Sequence, residues 1–140
     1  MSGIHARRPS RAAFTLMEVL LVLVILVVLG SLAVGMFTGA QKRANLNAAQ
    51  VQVEAISDQC ERYNLDMNAY PTTLDQLFTN PGGPKADAWT GPYLTKEVPL
   101  DPWGNPYQIQ SPGARHPDKV DVWSYGPDGQ NGTQDDIYNH

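Results

Sequence analysis

The chain of 140 residues contains a single cysteine, Cys60, so it can form no intramolecular disulfide. A small domain without a disulfide has to gain its stability in another way. The alternative use of the lone thiol is a bridge to another molecule. The length leaves room for one small domain beside a membrane anchor.

Side chains that could carry catalysis are also scarce. Of the three histidines, the two outside the N-terminal segment are His116 and His140, both in polar loop or tail contexts. Neither histidine lies at a spacing from a serine or cysteine that would indicate a nucleophile paired with a base. No glycine-rich loop follows a strand-like run. The sequence therefore predicts that the protein is not an enzyme.

Acidic residues are absent from residues 1–13, which carry Arg7, Arg8 and Arg11. Without this leader, ten basic residues become seven against fourteen acidic ones, a formal charge of −7. Phosphate binding needs a basic face. The remaining chain is therefore not expected to bind nucleic acid.

Charge and proline are absent from residues 19–40, an uncharged run of 22 residues. At about 1.5 Å per residue, a helix of this length spans roughly 33 Å, which is enough to cross a bilayer core. The arginines ahead of the run predict that this end stays in the cytoplasm and the rest is exported. On hydropathy alone, the run is a signal peptide or a plain anchor.

Glu18 is the one charged residue in the apolar segment at residues 14–40. A carboxylate inside a membrane helix is costly, and its presence makes sense if a cationic group meets it there. Cleavage between Ala13 and Phe14 would supply such a group, because it leaves a free amine four residues ahead of Glu18.

The basic leader, the sequence Phe-Thr-Leu-Met-Glu at residues 14–18 and the apolar helix together resemble the class III signal of type IV pilins and type II secretion pseudopilins. The resemblance implies that a prepilin peptidase cuts the chain before Phe14 and methylates the new N-terminus. The family usually has glycine before the cut, where this chain has Ala13. Cleavage ahead of the apolar run, unlike that of a Sec signal, leaves the helix in the mature protein.

Glycine and proline are absent from residues 41–68, where apolar residues recur at alternating steps of three and four. This spacing predicts a helix lying on a core. The apolar stripe consists of Leu46, Ala49, Val53, Ile56, Cys60, Tyr63 and Met67. Cys60 is therefore expected to be a buried structural thiol. Together with the apolar run, the pattern predicts one continuous helix that ends before Pro71.

Ten of the eleven prolines follow Tyr70, so regular structure after it has to be short. Residues 74–78 predict a short helix with Thr72 or Thr73 as its N-cap. Residues 107–110 and 120–124 alternate in strand fashion and predict an antiparallel pair. A small antiparallel sheet laid on the amphipathic helix gives an α+β arrangement.

The order of motifs in this half sharpens the resemblance. Tyr-Pro-Thr-Thr at residues 70–73, Asp-Pro-Trp-Gly at 101–104, Gly-Pro-Asp-Gly at 126–129 and Asp-Asp at 135–136 follow one another as in the major pseudopilins of the type II secretion system. The similarity covers nearly the whole chain from residue 14 onward.

This resemblance implies the type IV pilin-like fold, in which a long N-terminal helix packs on a small antiparallel sheet with a C-terminal metal-binding loop. It divides the chain into a cleaved leader at residues 1–13, a transmembrane and filament-core helix at 14–40, and a periplasmic domain at 41–140. We call residues 41–140 the body.

Asp128, Asp135 and Asp136 lie within nine residues and have no basic residue between them. Carboxylates held close together repel one another unless they are solvated, protonated or bound to a cation. An oxygen-only ligand set favours Ca²⁺, although the spacing does not match an EF-hand. From composition alone, a solvated acidic turn and a calcium site both remain open.

In major pseudopilins the C-terminal loop binds a calcium ion, and the resemblance implies the same here. Asp128, Asp135 and Asp136 would supply carboxylates. Tyr125 and Gln130 would supply main-chain carbonyls, and Thr133 a further oxygen. The ion would then stabilise a loop-rich sheet that has no disulfide.

The resemblance also implies a structural subunit that polymerises with copies of itself into the periplasmic pseudopilus of type II secretion, helping to drive folded proteins across the outer membrane. In the filament, Glu18 would pair with the Phe14 amine of a neighbour. Other partners would be minor pseudopilins, the inner-membrane secretion platform and the prepilin peptidase. The expected location is the bacterial inner membrane, with a cytoplasmic N-terminus and a periplasmic body.

Three alternatives remain open from the sequence. A type IV pilin is one, although such pilins commonly carry a C-terminal disulfide loop that Cys60 alone cannot make. A minor pseudopilin is another. The third is a membrane-tethered binding module that never polymerises, which self-assembly dependent on Phe14 and Glu18 would exclude.

Overall fold

The computed structural model describes residues 14–95 and 97–140, without the side chain of Met36. Contacts divide the chain into two units, Met1–Ala40 and Gln41–His140. The boundary between them falls inside the first helix. The predicted leader at residues 1–13, with Ala13 at its end, lies outside the described residues.

Helix α1, Leu16–Met67, is 52 residues long and confirms the predicted continuous helix. It ends because Asn68 takes a positive φ of 52°, the left-handed conformation common just after a helix. Lys85 Nζ donates a hydrogen bond of 2.9 Å to the carbonyl of Met67, one of the last carbonyls that a helix leaves free.

The predicted apolar stripe of α1 forms one side of the core of the body. Ala49, Val53, Ile56 and Cys60 are completely buried, and Tyr63 and Met67 nearly so. Leu46 is only half-buried. Burial in this apolar setting, together with the nearby Glu61 carboxylate, raises the pKa of the Cys60 thiol to about 12. Cys60 is therefore a protonated packing residue, as the stripe predicted.

The predicted short helix after Pro71 is a single 3₁₀ turn, Leu74–Leu77. The prediction of Thr72 or Thr73 as a side-chain N-cap is wrong, because Thr73 stands at the cap position without a side-chain hydrogen bond. The turn is instead fixed by two hydrogen bonds between Gln76 and Thr72. Gln76 Oε1 accepts from the Thr72 amide at 2.9 Å, and Gln76 Nε2 donates to Thr72 Oγ1 at 3.3 Å.

The sheet has three antiparallel strands in the order β1-β2-β3. Strands β1, Gln108–Gln110, and β2, Asp121–Ser124, form the predicted pair, with Ile109 opposite Val122. Strand β3, Ile137–Tyr138, pairs with β2 and was not foreseen from the sequence. At two residues it is too short to show alternation.

The side chains of successive residues in β2 point to opposite faces of the sheet. Val122 belongs to the same buried cluster as Val53 and Ile56 of α1. Its neighbour Trp123 stacks on Tyr138 of β3, with ring centroids 5.6 Å apart. The Arg115 guanidinium lies 3.6 Å from the centroid of the Tyr138 ring. One face of the sheet thus covers the core, and the other carries an aromatic and cationic stack.

Candidate assembly segment and acidic loop

The predicted assembly residues stand at the very start of α1. Phe14 is 80% exposed, and Glu18 is also exposed. Together with Val19, Val22 and Leu23, they line a shallow apolar depression on one side of the helix. The structure therefore brings Phe14 and Glu18 to one surface. Ala13, predicted to be the residue before the cleaved bond, lies outside the described residues.

Thr15 caps this helix, which the sequence reasoning missed. Its Oγ1 accepts a hydrogen bond of 3.3 Å from the Glu18 amide, and its carbonyl accepts from the same amide at 3.1 Å. The signal was the Thr-x-x-Glu spacing of a capping box, with Glu18 at the third helical position. The negative charge of Glu18 also suits the N-terminal end of the helix dipole. Glu18 thus has a local role in addition to any role in assembly.

The apolar part of α1 is not covered by any of the residues that the structure describes. Its most apolar 18-residue window has a mean hydropathy of 3.0 and none of it is buried, so by length and composition the helix could cross a membrane. Leu26 is 58% exposed and Phe37 77% exposed. Side chains of this kind require lipid or other apolar helices around them.

The acidic loop starts at the 3₁₀ turn Gly126–Asp128 and runs to β3. Asp128 Oδ1 accepts from the Gln130 amide at 2.9 Å. Asp136 Oδ2 accepts from the Gly132 amide at 2.7 Å. Thr133 Oγ1 donates to the Gln130 carbonyl at 3.4 Å. Two of the three predicted carboxylates are thus already oriented by backbone amides of the loop.

Gly126 holds the two ends of the loop together. It is buried and has a φ of 66°. A β-carbon at this position would overlap the carbonyl oxygen of Asp135, a main-chain atom. Only glycine permits this close approach. The main chain at Gly126 is therefore packed against the main chain at Asp135, nine residues later.

Two observations test whether the loop suits a calcium ion. Asp136 Oδ1 is buried and has no hydrogen-bond partner in the described structure, so it is an acceptor oxygen available to a cation. In residues 14–95 and 97–140, however, no three acidic, histidine or cysteine side chains are grouped closely enough to hold a metal. The oxygen donors are of the kind that Ca²⁺ prefers, although the described loop does not bring three carboxylates together. Asp136 Oδ1 is the buried oxygen of this loop that has no hydrogen-bond partner in the described structure.

Asp101 supports this loop, and sequence reasoning did not single it out as a site residue. Its Oδ1 accepts from the amides of Trp103 and Asn105 at 3.0 and 2.8 Å. Its Oδ2 accepts from Ser124 Oγ at 2.6 Å, and that hydroxyl oxygen accepts from the Gly126 amide at 3.1 Å. The Asp-Pro-Trp-Gly motif is therefore connected through β2 to the start of the acidic loop.

Asp121 is a second carboxylate that sequence reasoning missed, and it organises the β1–β2 connection. Its oxygens accept from the Arg115 amide at 2.7 Å and from His116 Nδ1 at 2.8 Å, although the side chain is almost completely buried. Burial by itself raises the pKa of Asp121, but the hydrogen bonds from Arg115 and His116 outweigh it and leave the pKa below its ordinary value. Asp121 is thus a buried structural carboxylate.

These features define a class of protein: a helix of membrane-spanning length and apolarity leads into a small α+β body with an acidic C-terminal loop. The model of the family described as type II secretion system, protein G matches residues 36–140. The type II secretion system core protein G of Aeromonas hydrophila is 41% identical over 133 residues, and the match covers 92% of each chain. That of Dickeya chrysanthemi is 43% identical over 132 residues, covering 90% of this chain and 84% of the relative.

A solved structure agrees with these relatives. The crystal structure of the major pseudopilin from the type 2 secretion system of enterohaemorrhagic Escherichia coli matches with a TM-score of 0.62 and 33% identity. The match covers 72% of this chain and 87% of that one. The chain belongs to the protein G family of the type II secretion system. The predicted pilin-like fold and family resemblance are confirmed.

Proposed function

We propose that this chain is the subunit that polymerises into the pseudopilus of type II secretion, helping to drive folded proteins across the outer membrane. The observation that carries the proposal is the apolar half of α1, whose most apolar window is not buried by any part of the chain that the structure describes. Membership of a family that contains the major pseudopilin of enterohaemorrhagic Escherichia coli supports it.

Burial of apolar surface supplies the driving force in this proposal. Burying apolar surface yields about 25 cal/mol per Å². A helix with Leu26 and Phe37 more than half exposed gains this energy in lipid or among copies of itself. The monomer is accordingly stored in the inner membrane, with its N-terminus cytoplasmic and its body periplasmic, and is then transferred to the filament core.

Glu18 sets the axial register of the filament in our proposal. A prepilin peptidase cuts between Ala13 and Phe14 and methylates the Phe14 amine. The freed amine would be a cation just ahead of α1, and Phe14 lines the same surface depression as Glu18. Pairing of Glu18 with the Phe14 amine of a neighbour neutralises both charges, whereas an unpaired buried carboxylate would cost several kcal/mol.

Replacing Glu18 by alanine is expected to abolish filament assembly while cleavage before Phe14 continues. The physical reason is that the register pair is lost and the neighbour's amine is left unpaired in an apolar core. The measurement is electron microscopy of sheared filaments from cells that express each variant, with cleavage followed by mass spectrometry. A Glu18→Ala chain that forms normal filaments would show that the register role is wrong.

Thr15→Val is the matched control for this experiment. It removes the Oγ1 acceptor that contacts the Glu18 amide but leaves the Glu18 carboxylate in place. We expect filaments from Thr15→Val, with helix stability lowered by about 1 kcal/mol. Equal defects in the two variants would assign the effect of Glu18 to helix capping, not to pairing between subunits.

We further propose that the acidic loop binds Ca²⁺. Asp136 would contribute Oδ1, Asp128 and Asp135 would contribute carboxylates, and the oxygens of Tyr125, Gln130 and Thr133 would complete the set. Bound Ca²⁺ supplies a positive charge that lets the carboxylates lie close together. Because the described loop does not group three carboxylates, binding in this proposal draws Asp128 and Asp135 towards Asp136.

Calcium at about one hundred times its dissociation constant is expected to raise the melting temperature of the full chain in detergent by roughly 10 °C or more. This rise in melting temperature should be lost in Asp136→Ala, because the variant lacks the Asp136 Oδ1 oxygen proposed to bind the ion. Asp118→Ala is the control, since Asp118 is an exposed acid in the β1–β2 connection. Equal melting with calcium and with chelator would refute the site and leave the filament proposal untouched.

In the same proposal, the subunit meets minor pseudopilins and the inner-membrane secretion platform. These partners follow from the expected place of a pseudopilin in the secretion system. The prepilin peptidase acts on the leader before assembly. The growing filament then serves as a piston or plug towards the outer-membrane channel.

A further inference from the structure

The acidic loop contains the one asparagine in the chain that is followed by glycine, Asn131 before Gly132. Both residues are exposed. Gly132 has a φ of 84°, and apart from Gly132 and its two chain neighbours no atom of the described structure lies within 4 Å of the position of its missing β-carbon. Without a side chain on Gly132, its backbone nitrogen is sterically accessible to the side chain of Asn131.

An Asn-Gly peptide can convert itself into an aspartyl peptide. The Gly132 nitrogen loses its proton to solvent and forms a bond to Cγ of Asn131. The bond between Cγ and Nδ2 breaks, and the Nδ2 group takes up a proton from solvent and leaves as ammonia. A five-membered succinimide results. Water then opens either of the two ring carbonyls, which yields aspartate or isoaspartate. The only reactant besides the chain is water, and no oxidant or reductant is required.

The structure restrains the nucleophile of this reaction. The Gly132 amide donates a hydrogen bond of 2.7 Å to Asp136 Oδ2. This oxygen also lies 3.4 Å from the hydroxyl of Tyr138, which forms part of β3 beside Asp136. A hydrogen bond to a carboxylate is stronger than one between neutral groups. It fixes the Gly132 nitrogen, and the adjacent negative charge opposes the formation of an amide anion.

We propose that Asn131 is a deamidation site and that Asp136 is the positioning residue that suppresses the reaction in the folded protein. The bond between Asp136 and Gly132 has to break before the nitrogen can attack. Opening or unfolding of the loop therefore exposes the chain to irreversible modification. The proposal concerns the covalent stability of the loop and holds whether or not calcium binds there.

Deamidation would change the loop in two ways. It replaces an amide by a carboxylate, which makes the formal charge of −4 more negative by one. The new charge lies between Asp128 and Asp135, where like charges already repel. The isoaspartate product also adds a methylene to the main chain, which alters the spacing between the two ends that Gly126 holds together.

The test follows deamidation of the full chain in detergent at 37 °C and pH 8, with chelator present so that calcium plays no part. The rate is read from the mass increase of the peptide containing Asn131 and from its isoaspartate content. We expect the folded chain to react about tenfold more slowly than the same chain in urea, because a hydrogen bond to a charged group must first be broken. Equal rates in the two states would overturn the proposal, and this comparison needs no variant.

Three variants assign the protection to Asp136. Asp136→Ala is expected to deamidate about tenfold faster than the parent chain. Asp136→Asn keeps an acceptor oxygen but lacks the negative charge, so its rate should fall between those of the parent chain and Asp136→Ala. Asp118→Ala should match the parent, and circular dichroism verifies that each variant is folded. An unchanged deamidation rate in folded Asp136→Ala would overturn the protective role of Asp136. A slower rate would also overturn it, because Asp136 would then be the base that promotes attack by the Gly132 nitrogen.

Discussion

Gly126→Ala is expected to destabilise the body by more than about 3 kcal/mol, since it combines a strained backbone with an overlap that cannot relax locally. Gly126 has a φ of 66°, and its missing β-carbon points at the main-chain carbonyl of Asp135. The Gly126 amide also donates to Ser124 Oγ at 3.1 Å. Relief of the overlap would therefore have to move either β2 or the end of the acidic loop. The measurement is urea unfolding of the full chain in detergent, followed by tryptophan fluorescence.

Gly129→Ala is the matched control for this prediction. Gly129 has the same φ of 66°, but a β-carbon added there would meet Asn105 Nδ2 as its nearest atom, at 3.4 Å, an ordinary contact distance. Only the left-handed strain is then introduced, which costs about 1–2 kcal/mol. If both variants lost the same stability, the close approach of Gly126 to Asp135 would not be a stabilising feature of the loop.

Asn139→Leu is expected to destabilise the body by about 3 kcal/mol or more, because it leaves buried backbone groups without partners. Asn139 is 4% exposed, and its side chain connects α1 with β2 and with the residue before β2. Its Oδ1 accepts from the Val122 amide at 2.9 Å. Its Nδ2 donates to Ser57 Oγ of α1 and to the Val120 carbonyl, both at 3.0 Å. Leucine fills a similar volume but satisfies none of these groups.

Ser57→Ala separates the contribution of α1 from that of the sheet. It removes one of the three partners of Asn139 and leaves the bonds to Val122 and Val120 intact, so a loss of about 1 kcal/mol is expected. The same urea unfolding measures both variants. A loss in Asn139→Leu no larger than that in Ser57→Ala would mean that the two backbone bonds contribute little.

The long helix was predictable because its signals are local. The apolar stripe from Leu46 to Met67 follows the period of a helix, and Pro71 predicts that the helix ends before it. The pair of β1 and β2 was equally visible, since both runs alternate and a turn-rich segment separates them. These patterns depend on residues that lie within one element or one hairpin.

The supports of the acidic loop were not predictable in the same way. Asp101 reaches Ser124 across 23 positions, and Asn139 reaches Ser57 across 82. No periodicity in the sequence identifies such partners. Each bond forms only if the fold of all the intervening residues brings the two side chains together. Strand β3 was missed for a related reason, since two residues carry no pattern of their own and become a strand only beside β2.

A threonine precedes both helical segments, but only one of the two threonines caps its helix. Thr15 caps α1, whereas Thr73 makes no side-chain hydrogen bond at the 3₁₀ turn. The Thr-x-x-Glu spacing at α1 was a valid signal that the chain uses. The same residue type before Leu74 makes no cap, and the Gln76 side chain bonds to Thr72 at this turn. Only the geometry of the turn decides between such alternatives.

The sequence by itself determined the membrane-length helix, the buried stripe with Cys60, the α+β character of the body and the family resemblance. Each depends on composition or on spacing along one element, where chain geometry alone dictates which side chains share a face. Only the tertiary structure decided that Gly126 meets Asp135, that Asp101 and Asn139 hold the sheet and loop, and that Asp136 restrains Gly132. Those contacts join distant or irregular segments, and their energy exists only after the chain has closed the loops between them.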